Sequence, residues 1–435
     1  MDSNLFHTTI ENSLAQAVKV EAIRVEELLA KAAAGAGLTL DEAAVLLLHA
    51  DAEALFEEAI NVKEQHFGMR MALFTPLYLS NICKNNCLYC GFRVDNEELS
   101  RRSLNSAEIA REAKVLASQG HRIVLLICGE DTNVARLDYV SDAIRTVAAT
   151  EGISRVNLEV APLEVEEYRI LKEAGAGTYI LFQETYHPQT YQQMHPEGEK
   201  ANFTKRYLAP FKAVEAGFNE VGLGILLGLR DYRYDFLGMV AHALAIQERF
   251  GFYPSSFSLP RLKPALNAPL QEAPNPLSNL DFRRIAALLR LVFPSSEIIL
   301  TTRETQLLRN SMMRSGISMF SAGSKTYPGG YSEEQAHAPQ KEQFHLDDVR
   351  SLEEIVSRLV QIGEVPSFSE TLSPGSALVS GPACQEKALL SFADYLRSYA
   401  GHETFEQGRN LINSLLAEVN NTSIKGEIGR ILKQR

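Results

Sequence analysis

The stretch ALFTPLYLSNICKNNCLYCGFR, residues 72–93, carries an apolar run (72–80) straight into three closely spaced cysteines, Cys83, Cys87 and Cys90. The run reads as a strand and the Asn- and Cys-rich segment after it as a loop. Runs of the same texture recur downstream: RIVLLIC (122–128), RVNLEVA (155–161), TYILFQE (178–184), EVGLGILLGL (220–229), SFSLPRL (256–262), EIILTTR (297–303) and ISMFSAG (317–323). Most are separated by helical segments. In NSAEIAREAKVLASQG (105–120), Asn105 and Glu108 stand where a capping box needs them and Gly120 where the helix should stop. Eight strands alternating with helices over residues 70–331 predict an α/β fold of the (β/α)-barrel type. A doubly wound open sheet is the rival, but no glycine-rich dinucleotide fingerprint opens the first unit. Polar residues collect at the C-terminal strand ends: Tyr78, Gly129, Glu130, Glu159, Gln183, Glu184, Arg261, Arg303 and Ser321. That rim is where barrel enzymes carry their chemistry.

Outside the barrel, residues 1–69 read as a helical cover, with a capping box from Thr39 to Glu42. Residues 332–435 open with a polar loop, EEQAHAPQKEQFHLDD (333–348), and continue as a helical extension. One Pro/Gly/Ser-rich interruption, VPSFSETLSPGSALVSGP (365–382), divides it, and a single amphipathic helix is expected over 405–435. The net charge of −11 argues against nucleic acid or an anionic membrane as partner. No apolar stretch approaches the ~18–20 residues that span a bilayer, and the first residues lack a secretion signal. A cytoplasmic, soluble protein is expected.

Five cysteines, an odd number in so long a chain, do not make a disulfide framework. Three thiolates spaced C-x3-C-x2-C in a loop after a strand can hold three irons of a cubane cluster, leaving the fourth iron open to a substrate. The alternative is structural zinc, which wants four closing ligands, and no fourth cysteine or histidine stands nearby to supply one.

With Tyr89 in the aromatic position, C-x3-C-x-aromatic-C resembles the signature of the radical S-adenosylmethionine enzymes. LLICGE, LEVAPLEVEEY, FQETYHPQTY, GLGILLGL, SLPRLKPA, LTTRE and SAGSKTYPGGY are similar to segments of the aromatic amino-acid lyases of that superfamily. The resemblance is strongest to the 2-iminoacetate synthase type, the tyrosine lyases of thiamine thiazole biosynthesis. It implies one [4Fe–4S] cluster held by Cys83, Cys87 and Cys90, and reductive cleavage of S-adenosylmethionine. By the same resemblance, Gly129 and Glu130 receive the methionine amino group and Arg206 its carboxylate. Glu184 lies near the ribose, with Glu159 beside the nucleoside. Arg303 would clamp the carboxylate of L-tyrosine, flanked by Tyr78 and Ser321, with Arg261 also on the rim. A thiazole synthase and a flavodoxin or ferredoxin-type reductant are the implied partners.

The extension resembles that of the hydrogenase-maturing tyrosine lyases, which bind a second cluster through C-x2-C and a later cysteine. Here Ser369 and Leu372 occupy the pair's positions and only Cys384 matches, so no second cluster is expected. The competing expectations are a tryptophan lyase of the same branch, a maturase relative lacking its second cluster, and a noncatalytic metal-binding scaffold.

Overall fold

The computed structural model describes residues 3–313, 315–333, 339–369, 382–417 and 419–434. Each predicted run contains a strand: β1 (Arg70–Ser80), β2 (Ile123–Cys128), β3 (Arg155–Glu159), β4 (Tyr179–Glu184), β5 (Val221–Ile225), β6 (Ser256–Ser258), β7 (Glu297–Leu300) and β8 (Met319–Ser321). All pair in parallel and in chain order, and β1 closes the barrel by pairing with both β8 and β2. Parallel strands covered on both faces read as nearly continuous apolar runs, and every residue of β1 is buried.

The period of two inside each strand sorts side chains between two cores. On β1, Leu73, Leu77 and Leu79 join the large core between barrel and helices, whereas Phe74 and Tyr78 join a smaller one inside. The Ser106–Ser118 helix begins with the Asn105–Glu108 capping box, and the Thr39–Glu42 box starts the Leu40–His49 helix. The N-terminal cover consists of helices Ser3–Ala17, Ala22–Ala33, Leu40–His49 and Ala52–Phe67, packed on helices Tyr232–Phe250 and Asn279–Val292.

Two features of the extension differ from expectation. A ninth strand, β9 (Val365–Ser367), lies inside the Pro/Gly/Ser-rich interruption and pairs in parallel with Arg70–Ala72. The cause is the length of β1, whose first residues outrun the short β8 and leave peptide groups to be satisfied. Val365 N–H donates to the Met69 carbonyl at 2.7 Å. The terminal helix is two helices, His402–Leu415 and Thr422–Lys433, because the Asn421 side chain accepts from the Ser423 and Ile424 amides and restarts the helix. Leu372 lies outside the described residues, while the Ser369 hydroxyl sits 3.1 Å from that of Ser367. Among the described residues no helix is long and apolar enough to cross a membrane.

Candidate active site

The C-terminal strand ends enclose a cavity of about 1290 Å³, partly continuous with solvent. Cys83, Cys87, Tyr89, Cys90, Gly129, Glu130, Glu159, Glu184, Arg206, Arg303, Tyr78 and Ser321 all line it. Residues far apart in sequence thus share one chamber, as the strand-end pattern predicts.

Close backbone packing shapes the cysteine loop. At Gly129 a Cβ would stand 2.4 Å from the Ile82 carbonyl oxygen, so only glycine lets the loop lie across the end of β2. The Lys84 amide then donates to the Glu130 carbonyl at 3.1 Å. Arg101 ties the loop from behind, donating to the carbonyls of Asn81, Phe92 and Arg93 at 3.0, 2.7 and 2.5 Å. Tyr89 turns its hydroxyl to His195 Nε2 at 2.7 Å and leaves its ring on the cavity wall.

Among the described residues, no three His, Cys, Asp or Glu side chains converge on one ion-sized position, which a structural zinc would require. A cubane instead takes one thiolate per iron, spread over a face, and three cavity-facing thiols on one loop fit that demand. Burial pushes all three thiols up, Cys83 to about 11. They become thiolates when metal charge replaces their protons. Cys128, at the end of β2, also borders the cavity, and burial raises it to about 12.

Two ion pairs cross the chamber. Arg206 Nη1 meets Glu130 Oε1 at 2.8 Å, and Asn85 Nδ2 donates to the other carboxylate oxygen at 2.8 Å. Burial alone would raise Glu130, but Arg206 and then Lys200 outweigh it and bring the carboxyl down to about 2. Lys200 Nζ meets Glu184 Oε1 at 2.7 Å. Glu184 has φ +69°, rare for a residue other than glycine, and lies at a register shift between β4 and β5. The irregularity after Phe182 brings the Glu184 side chain into the chamber.

Arg303 and Glu159 behave differently. No hydrogen bond or ion pair to another described residue engages the Arg303 guanidinium, which lies 3.3 Å from the centroid of the Phe344 ring. Burial lowers its affinity for the proton, and Tyr78 and Glu184 only partly restore it. Glu159 is raised to about 7, first by burial and then by the Glu184 charge. Tyr78 donates to Gln343 Oε1 at 2.7 Å, and Ser321 Oγ accepts from the Thr302 amide at 3.0 Å.

Two expected rim residues, Arg261 and Gln183, are absent from the chamber lining. Arg261 falls on the same parity as Phe257 and Leu259, which face the outer core, whereas Ser258 and Pro260 face in. Its guanidinium pairs with Glu304, donates to Asn279 Oδ1 at 2.9 Å and lies over the Phe282 ring. Gln183 is turned away for the same reason, its parity following Tyr179 and Leu181. In the other direction, Asn85, Lys200, Gln343 and Phe344 line the chamber without having been singled out from sequence. Gln343 and Phe344 belong to the polar loop after residue 331, which folds back over the barrel mouth.

Comparison with known proteins places this geometry in a family. The Radical SAM superfamily model matches residues 77–241, and the Biotin and Thiamin Synthesis associated domain matches residues 258–364. The 2-iminoacetate synthase of Escherichia coli (strain K12) is 35% identical over 340 residues, covering 77% of this chain and 87% of that protein. Its counterpart in Salmonella typhimurium is 34% identical over 342 residues, covering 77% and 88%. Among solved structures, HydG, a maturase of the [FeFe]-hydrogenase, superposes with a TM-score of 0.93 at 38% identity, covering 98% of this chain and 96% of that one. HydG from Carboxydothermus hydrogenoformans gives 0.89 at 37%, covering 99% and 100%. The chain belongs to the radical S-adenosylmethionine superfamily, within its aromatic amino-acid lyase family beside 2-iminoacetate synthase, and is a carbon–carbon lyase that works with a [4Fe–4S] cluster and S-adenosylmethionine.

Proposed function

We propose that this enzyme cleaves the Cα–Cβ bond of L-tyrosine to give 2-iminoacetate and p-cresol, supplying the thiazole of thiamine. The observation that carries the reading is Arg303, a cavity-facing guanidinium with no ion-pair partner among the described residues, in a chamber that Tyr78 and Ser321 also line. An amino-acid carboxylate is the group that such a fork takes up.

Cys83, Cys87 and Cys90 would hold the cluster, which with S-adenosylmethionine bound would supply the radical chemistry that takes a hydrogen atom from the tyrosine amino nitrogen. The chain's own task is placement. Glu130 and Arg206 suit the ammonium and carboxylate of the methionine moiety, and Glu184 and Glu159 suit the nucleoside. Arg303 sets where the amino nitrogen of tyrosine lies, so that N–H rather than Cα–H is presented. Exclusion of water by bound S-adenosylmethionine and substrate would protect the imine, which otherwise hydrolyses to glyoxylate and ammonia.

A second reading, a maturase relative without its second cluster, is favoured by the likeness to HydG over 98% of this chain. Cys384 is the sole cysteine of residues 332–435, and one thiol does not hold a cluster of the kind described for that extension. Release of 2-iminoacetate, with no cyanide or carbon monoxide, is therefore the expected end point. A thiazole synthase to receive it and a flavodoxin or ferredoxin to deliver electrons complete the proposal. The test is anaerobic: reconstitution with iron and sulfide, then dithionite, S-adenosylmethionine and tyrosine, with products read by mass spectrometry. 5′-Deoxyadenosine with p-cresol and glyoxylate supports it; 5′-deoxyadenosine without p-cresol, with fragments of tryptophan once tryptophan replaces tyrosine, overturns it in favour of tryptophan.

A further inference from the structure

We propose that Gln343 is a positioning residue that links the amino-acid site to the cluster, making the cluster easier to reduce once substrate is bound. The proposal rests on the reading of Tyr78 and Arg303 as the amino-acid site.

The geometry is a short hydrogen-bonded chain. The Tyr78 hydroxyl donates to Gln343 Oε1 at 2.7 Å, and Gln343 Nε2 donates to Cys90 Sγ at 3.7 Å. This amide orientation is the one that serves both neighbours, since a thiolate accepts and an amide oxygen facing it would repel. The loop is fixed independently of the side chain. The Gly91 amide donates to the Gln343 carbonyl at 2.8 Å, and the Gln343 amide to the Thr326 carbonyl at 3.0 Å. Gly91 is what permits this approach, because a Cβ there would stand 2.6 Å from the Glu342 carbonyl oxygen.

Two physical consequences follow from the chain's polarity. A donor at a cysteine ligand stabilises the more negative, reduced state of an iron–sulfur cluster and so raises its potential. Hydrogen bonds in series polarise one another. When a substrate ammonium donates to the Tyr78 oxygen, the phenol becomes a stronger donor to Gln343, and the Gln343 N–H a stronger donor to Cys90. Substrate binding would then raise the potential, so that cleavage of S-adenosylmethionine is slower while the amino-acid site stands empty.

The test is a potentiometric titration of the reconstituted full-length enzyme, read by electron paramagnetic resonance with and without tyrosine. Gln343→Leu removes both bonds, Gln343→Glu keeps an acceptor for Tyr78 but loses the donor, and Tyr78→Phe cuts the chain on the substrate side. The two Gln343 variants should lower the ratio of reduced to oxidised cluster at fixed potential by about threefold or more without tyrosine. All three should lose the positive shift that tyrosine causes in the parent. Iron and sulfide counts matching the parent exclude a folding defect, and the near-isosteric Gln343→Glu serves if Gln343→Leu assembles poorly. Potentials that match the parent in both Gln343 variants overturn the proposal. So does a parent potential unmoved by tyrosine while p-cresol still forms. If no aromatic amino acid is cleaved, the substrate reading fails instead, and the substrate-free comparison of Gln343→Leu with the parent still decides the bond to Cys90.

Discussion

At the N-terminal ends of the strands buried charges come in closed pairs, whereas at the C-terminal ends Arg303 and Glu159 face a cavity without an ion-pair partner among the described residues. Arg70, first residue of β1, pairs with Glu297, first residue of β7, at 2.7 Å, with side chains 1% and 5% exposed. Lys63 meets Glu364 at 2.6 Å, and Arg155 pairs with Glu220. Arg290 donates to the carbonyls of Gly316, Pro294 and Ser296 and to the Ser318 hydroxyl. Apart from Arg70 Nη2, which has no hydrogen-bond partner among the described residues, these floor charges are engaged within the chain. The mouth leaves charge unmatched, which costs stability and creates affinity for whatever completes the match. The same opposition separates the cysteines. Three on one loop face the chamber, while Cys384 is a single buried thiol near Arg70 and Glu297.

The largest effect expected is at the mouth. Cys87→Ala should abolish cluster assembly and with it all 5′-deoxyadenosine, measured by iron and sulfide counts and by chromatography of the quenched reaction. Retained cleavage would place the cluster elsewhere. At the floor, Arg70→Met should cost about 3–5 kcal/mol, because it leaves Glu297 buried without its partner. Adding Glu297→Leu should recover most of that loss. Denaturation of the reconstituted enzyme checks both, and a single variant as stable as the parent would refute the floor's structural role.

Arg303→Ala sharpens the contrast because its two readouts should move in opposite directions. Specificity for tyrosine, kcat/KM, should fall about 100-fold with loss of a bidentate clamp, while slow uncoupled cleavage of S-adenosylmethionine persists. Stability should hold or rise, since burial already works against this charge in the folded protein. A variant that loses stability and keeps its tyrosine dependence would make Arg303 a floor-type residue.

How much of this was visible in sequence depends on which distances set each position. The barrel was legible because strand and helix periods are local, and Tyr78, Glu159, Arg303 and Ser321 followed from them as strand ends. Arg261 was misplaced because it was read as a strand end without regard to its parity. The alternation of Phe257 and Leu259 carries on through the Leu227–Arg261 bridge and turns the arginine outward. Lys200 and Gln343 left no local trace. Lys200 is positioned by its amide donating to Asn85 Oδ1 at 3.0 Å, and Gln343 by backbone bonds to Gly91 and Thr326. The split of the terminal helix could have been read from Asn420-Asn421-Thr422, a cap-forming cluster inside an amphipathic pattern.

The smallest effect concerns Glu159 and tests whether the mouth carries an electrostatic cost. Burial first, then the neighbouring Glu184, lifts its carboxyl from 4.5 to about 7, against the pull of Lys200, Arg206 and Arg303. In the unfolded chain the group gives up its proton near its ordinary value, whereas in the folded chain it keeps the proton until near neutrality. Between those two values the folded state binds more protons, so stability must fall as pH rises through the window. The full shift corresponds to at most about 3 kcal/mol, complete above the folded value and absent below the unfolded one. Glu159→Gln, neutral throughout, should remove this slope and leave the enzyme more stable than the parent at pH 7 but not at pH 4. At the floor, Glu297→Gln should instead destabilise at pH 7, because it leaves Arg70 buried without its anion. Denaturation curves at a series of pH values decide it. Equal slopes in parent and Glu159→Gln would mean that Glu159 is already matched in the folded enzyme, and that the two ends of the barrel differ less than their geometry implies.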